Sequence, residues 1–197
     1  MNAHEAYPDT HHDVYSKTVF GFWLYLLTDF MLFATVFAAF AVLSKSTFGG
    51  PTPKELFNLN YTTLETLIFM VSTFTVGIAG VFAHRKKKGG TLIWFAITFL
   101  LGLACLWMSL HEFSHLISSG NGWERNAYLS GFFSLTGMFV LHLVFALLWI
   151  IVLLIPVFKE GITGRSIRRL ACLKMFWQFL SIIWIFIYTI VYLIGIV

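Results

Sequence analysis

Charge is what this sequence has least of. Only 11% of its 197 residues are Asp, Glu, Lys or Arg, against about 25% in an ordinary soluble domain. A water-soluble fold of this length cannot hide the 58% of residues that are hydrophobic, so the excess needs lipid as its solvent. Cysteine is scarce as well. Cys105 lies in an apolar run and Cys172 at the start of another, which argues against a disulfide framework, and two thiols alone make no metal site. No Gly-rich phosphate loop, nucleophile elbow, low-complexity tract or internal repeat is present. The net charge of +4 comes from basic residues clustered in short loops between apolar runs. That pattern reads as membrane orientation, not as binding to nucleic acid.

What is present is a series of five apolar stretches, at roughly 20–43, 62–83, 91–111, 127–157 and 171–196. Each reaches about 20 residues, enough to cross a ~30 Å hydrocarbon core at ~1.5 Å per residue. The predicted fold is all-α: a polytopic membrane protein built as a bundle of five transmembrane helices. A polar tail over 1–19 precedes a single membrane domain over 20–197. Turn residues separate the runs: Gly49-Gly50-Pro51-Thr52-Pro53, the stretch from Arg85 to Gly90, Gly120-Asn121-Gly122, and Gly161 through Gly164. Small residues recur where helices could approach closely, as at Ala34 and Ala38, Thr73 and Gly77, and Ser130, Ser134 and Gly137. Trp177 and Trp184, seven residues apart, share one face of the last span.

Lys and Arg set the expected topology. Arg85, Lys86, Lys87 and Lys88 fill the second loop, and Lys159, Arg165, Arg168, Arg169 and Lys174 surround the fourth. With Lys17 these make ten of the thirteen basic residues, leaving Lys45, Lys54 and Arg125 on the other side. The N-terminus is therefore expected on the cytoplasmic side of the membrane and the C-terminus on the outer side.

Asp29 is the most informative polar residue. It sits about nine residues, or ~13 Å, into the first span. A carboxylate at such depth costs roughly 2.5–3.5 kcal/mol on insertion scales, so it needs a proton, a partner or a wet interior. Tyr25, one turn earlier, is placed to hydrogen-bond it. Asp29 is a proton- or lipid-linked candidate, weighed against a carboxyl that bonds two helices together. Glu65 and Glu112 fall near the outer ends of the second and third spans, where interfacial acids that snorkel to water are the ordinary reading. His142, near the middle of the fourth span, reads first as a hydrogen-bonded packing residue. His111-Glu112-Phe113-Ser114-His115 matches H-E-x-x-H, which on a helix sets two imidazoles one turn apart with a glutamate as general base, the arrangement of zinc metalloproteases. A third ligand would have to come from His142, Glu124 or Glu160, and Glu160 falls on the opposite side of the membrane. The tail histidines His4, His11 and His12 read as solvated. Only His142 is deep enough for a haem ligand, and haem commonly needs two.

Several strings carry a family resemblance. Gly21-Phe22-Trp23-Leu24-Tyr25-Leu26-Leu27-Thr28-Asp29, the Gly49-Gly50-Pro51 loop, Leu64-Glu65-Thr66, Glu112-Phe113 with His115-Leu116-Ile117, and the closing stretch from Phe176-Trp177 through Trp184 to Tyr192-Leu193-Ile194-Gly195 together resemble subunit III of haem-copper terminal oxidases of the cytochrome o ubiquinol oxidase type. The resemblance covers nearly the whole chain. Subunit III of many cytochrome c oxidases has two further helices at its start, so a cytochrome c oxidase subunit is the second reading and an intramembrane zinc protease the third.

The resemblance implies a non-catalytic subunit of a proton-pumping respiratory complex. That subunit would hold no haem, copper, zinc or quinone site of its own. It would pack with oxidase subunits I, II and IV, with haem and copper in subunit I and ubiquinol as donor to the complex. It would bind membrane phospholipid and support assembly and proton uptake by subunit I. Asp29 takes the position of the family's membrane-buried carboxylate. Two departures stand out. Where the family has Gly-x-His-Gly-Leu-His in the fourth span, this chain reads Gly137-Met138-Phe139-Val140-Leu141-His142. Where the family has His and Asp in the last span, it has Gln178 and Ser181. These losses put the usual polar network between the last two helices in doubt.

Overall fold

The computed structural model describes residues 10–44 and 56–196, with side chains over 15–44 and 56–195. The first-loop residues, including Gly49 to Pro53, and the tail histidines His4, His11 and His12 lie outside the side chains so described. Five long helices follow one another: α1 (Thr10–Leu43), α2 (Leu59–His84), α3 (Lys88–Ser118), α4 (Ala127–Glu160) and α5 (Gly164–Ile187). The last continues through a π-helical segment at Tyr188–Leu193 to a final turn at Ile194–Ile196. Five spans within these helices are long and apolar enough to cross a bilayer. The chain is a multi-pass membrane protein.

Each helix buries one narrow seam. In α2 the buried positions Thr62, Glu65, Phe69, Ser72, Val76, Ala79 and Ala83 alternate steps of three and four. Leu129, Phe132, Thr136, Phe139, Leu143, Ala146, Ile150, Leu153 and Val157 do the same in α4, and Leu170, Leu173, Trp177, Leu180, Trp184, Ile187 and Val191 in α5. A mean period of 3.5 is that of left-handed knobs-into-holes packing. α5 is the most buried span and α1 the least. Thus α5 forms the middle of the bundle, and α1 lies against α4 and α5 with Leu26, Asp29, Phe33 and Phe40 turned inward. Its other face leaves Phe20, Trp23, Leu27 and Met31 exposed, as lipid requires.

All five helices begin or end beyond the predicted spans, and α3 and α5 show the cause. α3 starts at Lys88, so Gly89 and Gly90 are helical and not loop. Gly90 is required there: a Cβ would stand 2.5 Å from Cδ1 of Phe82 on α2. The turn between α2 and α3 shrinks to Arg85, Lys86 and Lys87. Lys86 adopts φ 54°, and the Lys87 N–H closes the turn onto the Phe82 carbonyl at 3.1 Å. α3 also runs on to Ser118, carrying the His111–His115 motif on a continuous helix. α5 begins at Gly164, seven residues before the apolar run, because the Thr163 side chain caps it by accepting the Ser166 N–H at 3.3 Å. Gly102 lies where α3 meets α4 and α5, with space for a hydrogen only: a Cβ would stand 2.6 Å from Trp177 and 2.9 Å from Leu147.

Candidate functional site

The five sequence candidates occupy three separate helix contacts. Asp29 on α1 is 8% exposed and faces α4, where its Oδ2 lies 3.9 Å from Nε2 of His142. Nδ1 of His142 is 2.8 Å from the Met138 carbonyl. A carbonyl only accepts, so Nδ1 carries a hydrogen and Nε2 is the atom turned to the acid. One proton between the two groups makes the contact favourable, as a carboxylic acid facing a neutral imidazole or as a carboxylate facing an imidazolium. The separation exceeds a hydrogen bond, and Oδ2 of Asp29 has no hydrogen-bond partner. Phe33 covers the imidazole, with ring centroids 5.0 Å apart. Tyr25 stands one turn before Asp29 on α1 and is exposed.

Glu65 and Glu112 both make hydrogen bonds to neighbouring helices. Glu65 is 1% exposed, pressed between α2 and α3, and accepts the Ser109 hydroxyl at 2.5 Å. Its Oε2 has no partner. Cys105, one turn below Ser109, points its thiol at the Glu65 carbonyl at 3.8 Å. Glu112 is partly buried and turns toward α5, where Oε2 accepts the Tyr192 hydroxyl at 2.7 Å. Two acids thus sit on polar contacts inside the bundle, with the unpartnered buried hydroxyl of Tyr128 also in this region.

The histidines of H-E-x-x-H line a surface pocket with Glu112 and Tyr61. His111 and His115 are exposed, while Glu112 between them is engaged by Tyr192. Among the described residues no three His, Cys, Asp or Glu side chains are grouped so as to share a metal ion.

The sequence reading passed over a second polar feature. Four contacts tie α5 to α2 along their seam. Trp177 donates its indole N–H to Ser72 at 3.1 Å, and Trp184 donates to Thr66 at 3.0 Å. The hydroxyls of Ser181 and Thr73 meet between them. Tyr188 and Thr63 pair at 2.8 Å. Gln178 is exposed and Ser181 is buried, so of the two substituted positions only Ser181 joins the interior network. The hydrogen bonds of α5 run to α2 and α3. The available signal was the seven-residue repeat of Trp177 and Trp184. Their partners are small hydroxyl residues of a kind found throughout any membrane helix.

Comparison with known proteins extends over this whole arrangement. Residues 3–196 match the family described as cytochrome c oxidase subunit III. The chain is 48% identical over 196 residues to the cytochrome bo(3) ubiquinol oxidase subunit 3 of Pseudomonas aeruginosa, covering 98% of this chain and 94% of that protein. It is 44% identical over 185 residues to the Pseudomonas putida protein of the same name, covering 94% and 89%. To the quinol oxidase subunit 3 of Bacillus subtilis it is 38% identical over 180 residues, covering 90% and 87%. Similarity at this level, running from before α1 to the end of α5, carries the whole bundle and not a single motif. The chain belongs to the cytochrome c oxidase subunit III family.

Proposed function

We propose that this chain is the accessory third subunit of a ubiquinol-oxidising haem-copper oxidase in a bacterial plasma membrane. The observation that carries the reading is the end-to-end similarity to subunits named for ubiquinol oxidase, at 48% and 44% identity. In this role the chain packs with subunits I, II and IV while subunit I holds the haem and copper and reduces O₂ to water. Its own contribution is mechanical and electrostatic. It presents a rigid five-helix surface, binds membrane phospholipid, and supplies proton-linked groups, Asp29 with Tyr25 and His142 foremost and Glu65 and Glu112 second, that assist proton uptake by subunit I.

The N-terminus lies in the cytoplasm and the C-terminus in the periplasm. The support is the gathering of ten basic residues on one side, nine at the second and fourth loops and Lys17 near the N-terminus. The buried Asp29–His142 contact supports a proton-linked role, because an acid and a base face each other without a hydrogen bond that would lock the proton in place.

Removing this chain from the host tests the role. Membranes should keep haem-copper oxidase spectra at reduced level, with ubiquinol oxidation that starts and then decays faster during sustained turnover. Unchanged oxidase content and an unchanged time course would contradict it.

A further inference from the structure

One motif has no part in the role proposed above. His111-Glu112-Phe113-Ser114-His115 lies in the last turns of α3, which ends at Ser118. Residues four apart on a helix stand one above the other, with Cβ atoms about 5–6 Å apart, so His111 and His115 share a face. Both line an open pocket of about 270 Å³ together with Leu56, Asn58, Tyr61 and Glu112. Both side chains are exposed. Among the described residues, His142 alone uses its imidazole in a hydrogen bond or an ion pair. The ring nitrogens of His111 and His115 are therefore open, with only the Tyr61 ring alongside that of His111 at 6.3 Å between centroids.

The other polar groups of the pocket are acceptors. Tyr61 donates its hydroxyl hydrogen to the Met108 carbonyl at 3.2 Å, which leaves the hydroxyl oxygen free to accept. Oδ1 of Asn58 accepts the Asn60 N–H at 3.1 Å and has a second lone pair. Glu112 commits Oε2 to Tyr192 and keeps Oε1. Two nitrogens that give electron pairs thus stand beside oxygens that accept hydrogens. A hydrated metal ion uses both sets at once: the ion takes the nitrogens, and its bound waters donate to the oxygens. Glu112 follows His111 in sequence and so lies about 100° round the helix from it. It stands outside the pair, consistent with the lack of a three-ligand group among the described residues.

We infer that His111 and His115 form an exchangeable site for one divalent transition-metal ion, with water in the remaining coordination positions. Imidazole pairs suit Cu²⁺, Zn²⁺ and Ni²⁺, and Cu²⁺ binds most tightly of these. The ion joins two successive turns at the end of α3, beside the Glu112–Tyr192 contact that ties α3 to α5. It is a surface ion that comes and goes, not a resident cofactor. With the glutamate of the motif held by Tyr192 and no third protein ligand, the site binds metal without performing hydrolysis. In the orientation proposed above it faces the periplasm. Binding depends neither on that orientation nor on the electron donor of the complex, so this inference and the proposed function fail separately.

The test uses the whole complex, purified through a tag on this chain and treated with a chelator to remove loosely held metal, with Zn²⁺ and Cu²⁺ as probes. Other subunits bind metal too, so the native complex is compared with His111→Asn and His115→Asn, both exposed-surface changes that should leave haem content unaltered. In equilibrium dialysis the native complex should hold one more Zn²⁺ than either variant. The double variant should lose no more than a single one, because both nitrogens serve one ion. Added Cu²⁺ should give a paramagnetic resonance spectrum with two imidazole nitrogens in the native complex, and that signal should vanish from both variants. Tyr61→Phe keeps both ligands and removes an acceptor for bound water, so it should weaken binding about tenfold. Zn²⁺ should raise the melting midpoint of the native complex and not that of the histidine variants. Equal metal content in the native complex and both variants would overturn the site. So would loss on only one of the two substitutions, which would mean a single imidazole acting with a group elsewhere.

Discussion

The Tyr192 hydroxyl on α5 donates to the Glu112 carboxyl on α3 across 2.7 Å, bridging helices more than seventy residues apart in the chain. Tyr192 is fully buried, so nothing outside the bundle can replace this partner. Tyr192→Phe keeps the ring against Phe57 and Phe132 and removes only the donor. It should cost about 1–2 kcal/mol, within the range for an interhelical hydrogen bond in a membrane protein and a stranded acceptor. Glu112→Gln leaves Tyr192 an acceptor and should cost less. Thermal unfolding of the two variants in detergent checks the order, and a larger loss for Glu112→Gln would contradict this pairing.

The α2–α5 contacts should be individually weak and mutually coupled. Ser72→Ala and Trp177→Phe each break the same bond, so a double-mutant cycle should return a coupling of about 0.6 kcal/mol, the average for such bonds in membranes. Pairing Ser72→Ala with Tyr192→Phe should return none, because the two sites share no hydrogen bond.

Gly102 should tolerate nothing larger than hydrogen. The atom nearest an added methyl group is Cη2 of Trp177 at 2.6 Å, and Trp177 cannot swing aside without losing Ser72. Gly102→Ala should therefore destabilise by about 1–3 kcal/mol. Gly77→Ala, where a Cβ meets nothing within 4 Å, should be neutral or stabilise by up to ~1 kcal/mol. Melting temperatures of the two side by side decide the matter, and equal effects would mean that α3, α4 and α5 are not packed this closely.

Orientation is open to direct labelling. A cysteine replacing Lys87, in the α2–α3 turn, should resist a membrane-impermeant thiol reagent in intact cells. One replacing Asn121, in the α3–α4 loop, should react. The opposite pattern inverts the topology.

How much of this was legible in the sequence differs from helix to helix. Uninterrupted apolar runs mark α2 and α4 almost to their ends, since Asn58 and Asn126 cap them where the runs begin. α5 was cut short because Arg165, Arg168 and Arg169 resemble a loop. In the structure Ser166 and Leu170 of the same segment are buried, so the segment is an amphipathic first turn and a half. Asp29 was legible because a deep charge is costly whatever surrounds it. Its facing His142 lies 113 positions away and could not be paired without the fold. The burial of Glu65 was not legible because depth along a span does not say which face of the helix a residue occupies, and only the packing of α3 supplies Ser109.

The central claim, that the chain serves a ubiquinol-oxidising haem-copper oxidase, is tested most directly by the electron donor of whatever this chain is bound to. The complex is isolated from native membranes through a tag on this chain, and its O₂ consumption is measured with reduced ubiquinone and with reduced cytochrome c in turn. The account predicts a haem-containing complex that consumes O₂ with ubiquinol and does not oxidise cytochrome c. A preparation that oxidises cytochrome c and ignores ubiquinol, or that carries no haem while the chain remains folded, would contradict it.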